Sequence, residues 1–493
     1  MTDVVLALDQ GTTSSKALLV EPSELRVIAT AARPVRIRSP RSGWMEQDAE
    51  ELWSSTCEAA AEAITKTPDA NVVAIAISNQ RESVIAWDGT TGNPLAPVIS
   101  WQDQRGVTLC DELAAHAAFV AERTGLELTA MYSATKLRWL IGSVKKSASL
   151  RLGTIDTWLL DRLTGGEVYS TEIGNAARTL LFDITRLDWD PELCALFGVL
   201  LKLLPSVRQS SGLWGVTRNM PGIPDGTPIL AVLGDSHAAL YGHWVLSPGQ
   251  GMAGKATYGT GSSVMMPAGG STARRRGVST TLAWQFDTPL WAYEANILFS
   301  GAGLDWLGNN LGVNGGRGIT ELAASAGDSG GAVFVPALNG IGAPWWEPSA
   351  VGTLTGMSVN TGRPQLARAG LESVANQICD IVDVMDPDGN QELLHAGGGA
   401  TSSALLMQIQ ANLLGRNLLV SKIADISAIG VAALAARGLG ITPQPRDSAT
   451  RLFAPETDFT SERRSYERSR WRDALARAGI ADPALKNHYE RIN

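Results

Sequence analysis

The sequence predicts an α/β protein of two domains flanking a central cleft, on three observations. The chain is 493 residues long, more than one hydrophobic core usually serves. A strand, polar turn and strand pattern (Val4–Leu8, then Asp9-Gln10-Gly11-Thr12-Thr13-Ser14-Ser15, then Lys16–Val20) recurs as Ala256-Thr257-Tyr258-Gly259-Thr260-Gly261-Ser262-Ser263 running into Val264-Met265-Met266. Between the two copies, Ile229–Leu233 is an apolar run of strand length that stops at Gly234-Asp235 and passes into small residues of helical character. Such strand-to-helix junctions are where open α/β sheets place ligands.

Composition narrows the function classes. A formal charge of −8 is mild for this length and gives no basic nucleic-acid surface. The N-terminal apolar stretch is too short for a membrane span, has no basic lead-in and breaks at Gly11-Thr12-Thr13, so a signal peptide and a membrane association are not expected and a cytoplasmic location is. Cys57, Cys110, Cys194 and Cys379 lie far apart without a CxxC pair, which argues against a disulfide framework or zinc site; they read as buried thiols.

In the first polar turn, Gly11 lets backbone approach an anion, and successive N–H groups with the hydroxyls of Thr12 and Thr13 can donate to phosphate oxygens. A plain hairpin turn is the favoured reading of that stretch alone; its recurrence at Thr260-Gly261 adds weight to the anion reading. Turn formers over Arg41–Asp48 precede an amphipathic helix over about 49–66 and a strand over Val72–Ile77, which delivers Ser78-Asn79-Gln80-Arg81-Glu82 to its C-terminal end. An adjacent Arg81-Glu82 pair offers donors and acceptors to vicinal hydroxyls, or is a surface ion pair. A strand over Val84–Trp87 follows, and Pro97–Trp101 brings an indole to a similar edge.

Thr135–Ile141 reads as a short helix, Gly153–Leu163 as strand then helix, and Asn175–Thr179 as a structural loop. Asp235 is either the N-cap of its helix or a base aimed into the cleft, and the motifs on both sides favour the base. Leu246–Gly251 has the composition of a hinge and sets the boundary, giving domains 1–247 and 248–493. Gly249–Ala256 nearly spells a Walker A loop but has Ala256 where Ser or Thr is required, so it is rejected. In the second domain Ser300–Trp306 places small residues ahead of a helix, Leu366–Met385 is a buried helix, and a strand from Leu393 leads to Gly397-Gly398-Gly399 before another helix. Three bare glycines fit either a nucleotide or close packing. Ala428–Gly438 is an Ala-rich helix, and beyond Pro443 a charged, helical tail reads as a surface element.

Taken together and in order, DQGTTSSK (Asp9–Lys16), GWMEQDAEELW (Gly43–Trp53), NQRE (Asn79–Glu82), GTIDTW (Gly153–Trp158), GDSHAAL (Gly234–Leu240), TYGTGSS (Thr257–Ser263), GAPWWEPSAVGTLTG (Gly342–Gly356) and GGGATSSALLMQ (Gly397–Gln408) resemble the FGGY family of carbohydrate kinases over nearly the whole chain, and its glycerol-phosphorylating branch most closely. The resemblance implies two actin-like, ribonuclease-H-like ATPase domains around the cleft, the first binding the polyol and carrying the base, the second binding the nucleotide. It implies ATP and Mg²⁺ as cofactors, a small polyol or sugar as acceptor, and a homodimer. Carried over by position, Asp235 takes the proton of the acceptor hydroxyl, and Asp9 with Asp235 holds hydrated magnesium. Arg81, Glu82 and Trp101 bind the acceptor; Thr12, Thr13, Lys16, Thr260 and Gly261 contact phosphates; Gly301, Asp305, Gly399 and Ser403 line the adenosine pocket.

Departures concern the acceptor. Family members acting on glycerol carry Arg at Lys16, Gln at Ser236, an aromatic at Met131 and Phe at Ser263, and Asp-Gly-Gly where this chain has Gly397-Gly398-Gly399. The expected activity is therefore transfer of the ATP γ-phosphoryl group to a primary hydroxyl of glycerol or a related small polyol. A pentulose, tetritol or pentitol acceptor is the first alternative, a catalytically inactive nucleotide-dependent sugar-binding regulator the second. Retention of Asp9, Asp235 and the Arg81-Glu82 pair argues against the regulator, because a binder needs no base.

Overall fold

The structure, a computed structural model, describes residues 1–145, 147–247, 251–445 and 450–480. Pro248, Gly249 and Gln250, at the expected domain boundary, lie outside the described residues, as do residues 446–449 and 481–493 of the charged tail.

Two large sheets organise the chain. The first has the order Ser211–Val216, Pro228–Gly234, Ala70–Asn79, Thr2–Gln10, Ser14–Glu21, Arg26–Pro34. Its central three strands, Pro228–Gly234, Ala70–Asn79 and Thr2–Gln10, run parallel, with antiparallel strands on both sides. The second has the order Ser279–Gln285, Pro289–Ile297, Ser262–Gly269, Gly254–Tyr258, Leu393–Gly397, Asn417–Ser421, Thr450–Phe453. Here too the middle three, from Gly254–Tyr258 to Asn417–Ser421, are parallel and the remainder antiparallel. Each sheet thus begins with the predicted hairpin and extends it in parallel, which is the duplicated architecture the two Gly-Thr turns imply.

The central strands are apolar along their length because both faces are covered. Val4, Leu6 and Leu8 pack with Leu52, Ala59, Trp158 and Leu159, while Val5 and Ala7 point the other way, toward Ala238, Leu240, Ala428 and Val431. The predicted helix 49–66 is Ala49–Thr65, capped by Asp48, whose carboxylate accepts from the backbone of Glu50 and Glu51. The second face is covered by Asp235–Val245 and by Ile426–Gly438, a helix from the C-terminal half that packs back on the first sheet. These two helices meet backbone to backbone: a Cβ on Gly430 would lie 1.9 Å from the Ala238 carbonyl oxygen, and one on Gly242 would lie 2.6 Å from that of Ile426.

Elsewhere the structure departs from the reading of the sequence in instructive ways. Asn175–Thr179 is no open loop: Ile173–Ala176 forms a helical turn, and the segment is buried. The charged helix Ser461–Arg477 is no surface appendage, since Trp471, Ala474 and Leu475 are buried against Val335 and Ala350, and Arg468 is buried in an ion pair with Asp380. Helix Gly315–Ala323 went unread because its first turn carries Gly315, Gly316 and Gly318, poor helix formers. Cys110 is partly exposed while the other three thiols are buried. Gly254–Tyr258 is a strand, where a Walker A loop would begin a helix. Among the described residues no helix is long and apolar enough to cross a membrane.

Because Gly430 and Gly242 set how closely the Asp235 helix and the Ile426–Gly438 helix approach each other, Gly430→Ala should destabilise the protein by about 1–3 kcal/mol through overpacking, read as a lowered urea midpoint at unchanged m-value.

Candidate active site

The parallel strands bring their C-terminal ends level. Asp9 pairs in register with Ser78 and Gln10 with Asn79. On the other side of that strand, Leu233 pairs with Ser78 and Gly234 with Asn79. Asp9, the Arg81-Glu82 pair and Asp235, separate in sequence, therefore share one sheet edge. Gly234 occupies the cap position and Asp235 is the first helical residue, so the N-cap reading of Asp235 is set aside. Its Oδ1 accepts from the Ser236 N–H at 2.6 Å and lies 3.2 Å from Arg81 Nε, and the side chain keeps 40% of its exposure. Burial raises the Asp235 pKa, Arg81 opposes this and Glu82 reinforces it.

Arg81 is clamped. Glu294, reaching from strand Pro289–Ile297 of the second sheet, accepts from Nη1 at 2.8 Å and Nη2 at 2.6 Å. His237 Nε2 lies 3.3 Å from Nη1 and, because a guanidinium only donates, must accept there. Those contacts use three of the five guanidinium N–H groups; Nε–H is buried beside Asp235, which leaves one Nη2 hydrogen for a ligand. Glu82 is bonded by Arg178 Nε at 2.6 Å, and Arg178 Nη1 lies 3.0 Å from Glu294. Glu82 holds a left-handed backbone with φ of +62°, unusual for a side chain of its size, and its carbonyl accepts from Ser133 Oγ. Burial lowers the His237 pKa, with Arg81 adding to the effect, so the imidazole is neutral. Glu294 stays ionised, since Arg178 and Arg81 outweigh a burial that raises its pKa.

Around this cluster stand the expected acceptor walls. Trp101 Nε1 donates to Thr12 Oγ1 at 2.9 Å, linking the indole to the first Gly-Thr turn. Met131 is half-buried, while neighbouring Tyr132 is buried under the Arg178 guanidinium with its hydroxyl 3.1 Å from Ser279 Oγ. Lys136, buried, donates to three successive carbonyls, those of Ala130, Met131 and Tyr132, and so fixes the loop that carries them. Burial pushes its pKa down to about 7. Ser236 and Ser263 are short side chains, each partly exposed.

On the nucleotide side, the first turn closes through Gly11 N–H to Ser14 O, with Thr13 exposed and Thr12 partly so. Gln80 and Gln47 bond its backbone from below. The second turn closes through Gly259 N–H to Gly261 O and leaves Thr260 and Gly261 exposed. It docks on helix Gly301–Asn310, whose Gly301 and Ala302 N–H groups donate to Gly259 and Thr260. Asp305 accepts from Gly316 N–H, and Ser403 Oγ bonds Thr320 Oγ1, so helix Gly315–Ala323 joins the two expected adenosine-lining positions. Gly399 is exposed in a short 3-10 turn. Its neighbour Gly398, at φ +98°, answers the question of the three glycines on the packing side, since a Cβ there would sit 2.4 Å from the Tyr258 carbonyl oxygen. Lys16 is not free: its Nζ is 2.6 Å from Asp425.

Asp9 accepts from Ser78 Oγ at 2.7 Å. Burial raises its pKa to about 6, against the Ser78 bond and with help from Asp235. The carboxylates of Asp9 and Asp235 are hard oxygen donors, the kind Mg²⁺ takes. Among the described residues no group of three or more His, Cys, Asp and Glu could hold a metal, so an ion here would draw its remaining ligands from phosphate and water, as Mg²⁺ commonly does. Surface cavities of about 500 and about 460 Å³ lie away from these residues, the first by Met252 and Leu452, the second by Trp306 and Leu354.

Four participants escaped the sequence reading: Glu294, Arg178, His237 and Lys255, whose buried Nζ bonds Thr257 Oγ1 and whose pKa burial lowers to about 8. Only Glu294 left a signal, a lone carboxylate inside an otherwise apolar strand. Because the folded pKa of Asp9 lies above its ordinary 3.8, its contribution to stability is full below that value and lost as pH rises through about 6. Asp9→Asn, which keeps the Ser78 acceptor, should therefore raise the melting temperature of the ligand-free protein above pH 7 by about 2 °C, with the gain gone below about pH 4.

Known proteins share this arrangement. The N-terminal domain of the FGGY family of carbohydrate kinases matches residues 4–242 and the C-terminal domain residues 254–439. An apulose kinase from Pectobacterium atrosepticum is 40% identical over 98% of this chain and 100% of that protein. A glycerol kinase from Alkalilimnicola ehrlichii is 39% identical over 96% of this chain and 98% of its own. The crystal structure of Plasmodium falciparum glycerol kinase with ADP superposes with a TM-score of 0.90 at 29% identity, covering 98% of this chain and 99% of that one. The two sheet-based domains are thus the actin-like ATPase pair that the resemblance implied. By fold, by both domain matches and by near full-length relatives, the chain belongs to the FGGY family of carbohydrate kinases and is a phosphotransferase with an alcohol group as acceptor.

Proposed function

We propose that the protein transfers the γ-phosphoryl group of ATP to a primary hydroxyl of a small polyol or short ketose, with Asp235 as the base. The observation that carries this reading is the carboxylate itself: Asp235 stands at the end of a central strand, open to the cleft, 3.2 Å from Arg81 and with a raised pKa. A carboxylate whose pKa is raised accepts a hydroxyl proton more readily. Arg81 and Glu82 bind the acceptor hydroxyls, Trp101 covers its carbon chain, and the Thr12-Thr13 and Thr260-Gly261 turns hold the phosphates from the two domains. Asp9 and Asp235 would hold Mg²⁺, which when bound supplies charge neutralisation to the triphosphate. Lys16 reaches phosphate only by leaving Asp425. The family supports a cytoplasmic enzyme and a homodimer.

Relatives act on glycerol and on apulose, and the acceptor walls favour the larger class. Met131, Ser236 and Ser263 replace longer or aromatic side chains, and Tyr132 is drawn off by Ser279 and Arg178 and does not fill the space they vacate. We infer an acceptor of more than three carbons, with glycerol the smaller alternative.

ATP turnover against glycerol, erythritol, ribitol, xylulose, ribulose and apulose at equal concentration, with a no-acceptor control, tests the reading. A four- or five-carbon acceptor should give the highest kcat/KM; preference for glycerol would make the three exchanges neutral, and no acceptor-dependent turnover would leave only the regulator. Asp235→Asn should lower kcat by about 10²–10⁴ while ATP affinity changes less than about twofold. In the parent enzyme the acid limb of kcat/KM should lie above the ordinary Asp pKa of 3.8, because turnover needs Asp235 deprotonated and its pKa is raised.

A further inference from the structure

The acceptor-binding pair is held in part from the other domain. Both Nη atoms of Arg81 are taken by Glu294 of the second sheet, at 2.8 and 2.6 Å, and Glu82 is held by Arg178, which itself lies 3.0 Å from the same Glu294. The exposures of Arg178 and Glu294 are 1% and 2%, so solvent cannot substitute for either. Glu294 sits on strand Pro289–Ile297, paired with strand Ser262–Gly269 that starts at the second Gly-Thr turn. One carboxylate therefore touches the acceptor arginine, the partner of the acceptor glutamate and, through its strand, the nucleotide-side turn.

We propose that Glu294 is a positioning residue for the acceptor: acting across the two sheets, it orients Arg81 directly and Glu82 through Arg178, so that the hydroxyl-binding pair is assembled only when the domains are seated on each other. Without it, Arg81 keeps His237 and Asp235 as neighbours but loses the planar, two-point contact that fixes its plane. Glu82, in a left-handed backbone at φ +62°, likewise depends on Arg178 for its direction. On this proposal the remaining Nη2 hydrogen of Arg81 keeps its direction toward the acceptor only while the clamp holds.

The inference rests on the phosphoryl-transfer reading. Its test compares the parent enzyme with Glu294→Gln and Arg178→Lys on the best acceptor of the panel, measuring kcat and both KM values. Loss of a charge-assisted contact of this kind amounts to about tenfold or more, so the acceptor KM should rise by about that factor in each variant while the ATP KM moves less than about twofold. Acceptor and ATP KM rising together, or an unmoved acceptor KM in a folded variant, would overturn the positioning role. If Glu294→Gln fails to fold, Arg178→Lys, which keeps the charge and gives up the planar fork, decides by the same two KM values. Failure of the underlying reading is distinguishable, since it appears in the parent enzyme as absent acceptor-dependent turnover.

Discussion

The register of three parallel strands is the constraint on which the cleft depends. Asp9, Ser78 and Leu233 stand level, and side chains alternate along each strand, so a slip of one residue would turn Asp9 away from the edge and into the core. That register is held by apolar packing on both faces, Val4, Leu6 and Leu8 to one side and Val5 and Ala7 to the other. The second face depends on a helix from the far end of the chain, Ile426–Gly438, brought to backbone contact with the Asp235 helix by Gly242 and Gly430. Packing that looks purely structural therefore sets where the carboxylate of Asp235 points.

Above that frame sits a cluster of buried charges. Ion pairs this deep are seldom the cheapest way to fill a core, because the cost of removing both partners from water rivals their attraction. On the proposed function the geometry justifies the cost: Arg81 and Glu82 present fixed donors and acceptors to the acceptor hydroxyls, and groups with their own partners behind them hold still. Lys136 serves the neighbouring loop in the same way, spending three N–H groups on the carbonyls of Ala130, Met131 and Tyr132. The loop bearing Met131 is thereby held in place.

How much of this was legible in the sequence follows from the distance over which each signal acts. Strand ends, hairpin turns and the Asp235 junction are local patterns, and all appear where the residues place them. The Arg81-Glu82 pair was legible as a site but not in its wiring, because the partners lie 213 and 96 residues away and only the fold brings them in. Arg178 was hidden in a segment that reads as a loop and is a buried turn following the short helix Ile173–Ala176. The charged composition of Ser461–Arg477 masked Trp471 and Leu475, which pack inward, and three glycines masked helix Gly315–Ala323. In each case a tertiary contact overrode what local propensity says.

Charge counting then ties the site to its chemistry. Arg81 and Arg178 balance Glu82 and Glu294, so the acceptor clamp is neutral as a unit. Lys16 is spent on Asp425. What remains at the cleft floor is Asp9 and Asp235, two carboxylates each raised in pKa by burial, with buried Lys255 as the nearby cation, itself depressed to about 8. An anionic triphosphate meeting that floor would be repelled unless positive charge arrived with it, so on the proposed function the donor binds together with a cation. Burial and the Glu82 charge raise the proton affinity of Asp235, which in the proposed reaction favours its taking the acceptor's proton as the phosphoryl group moves.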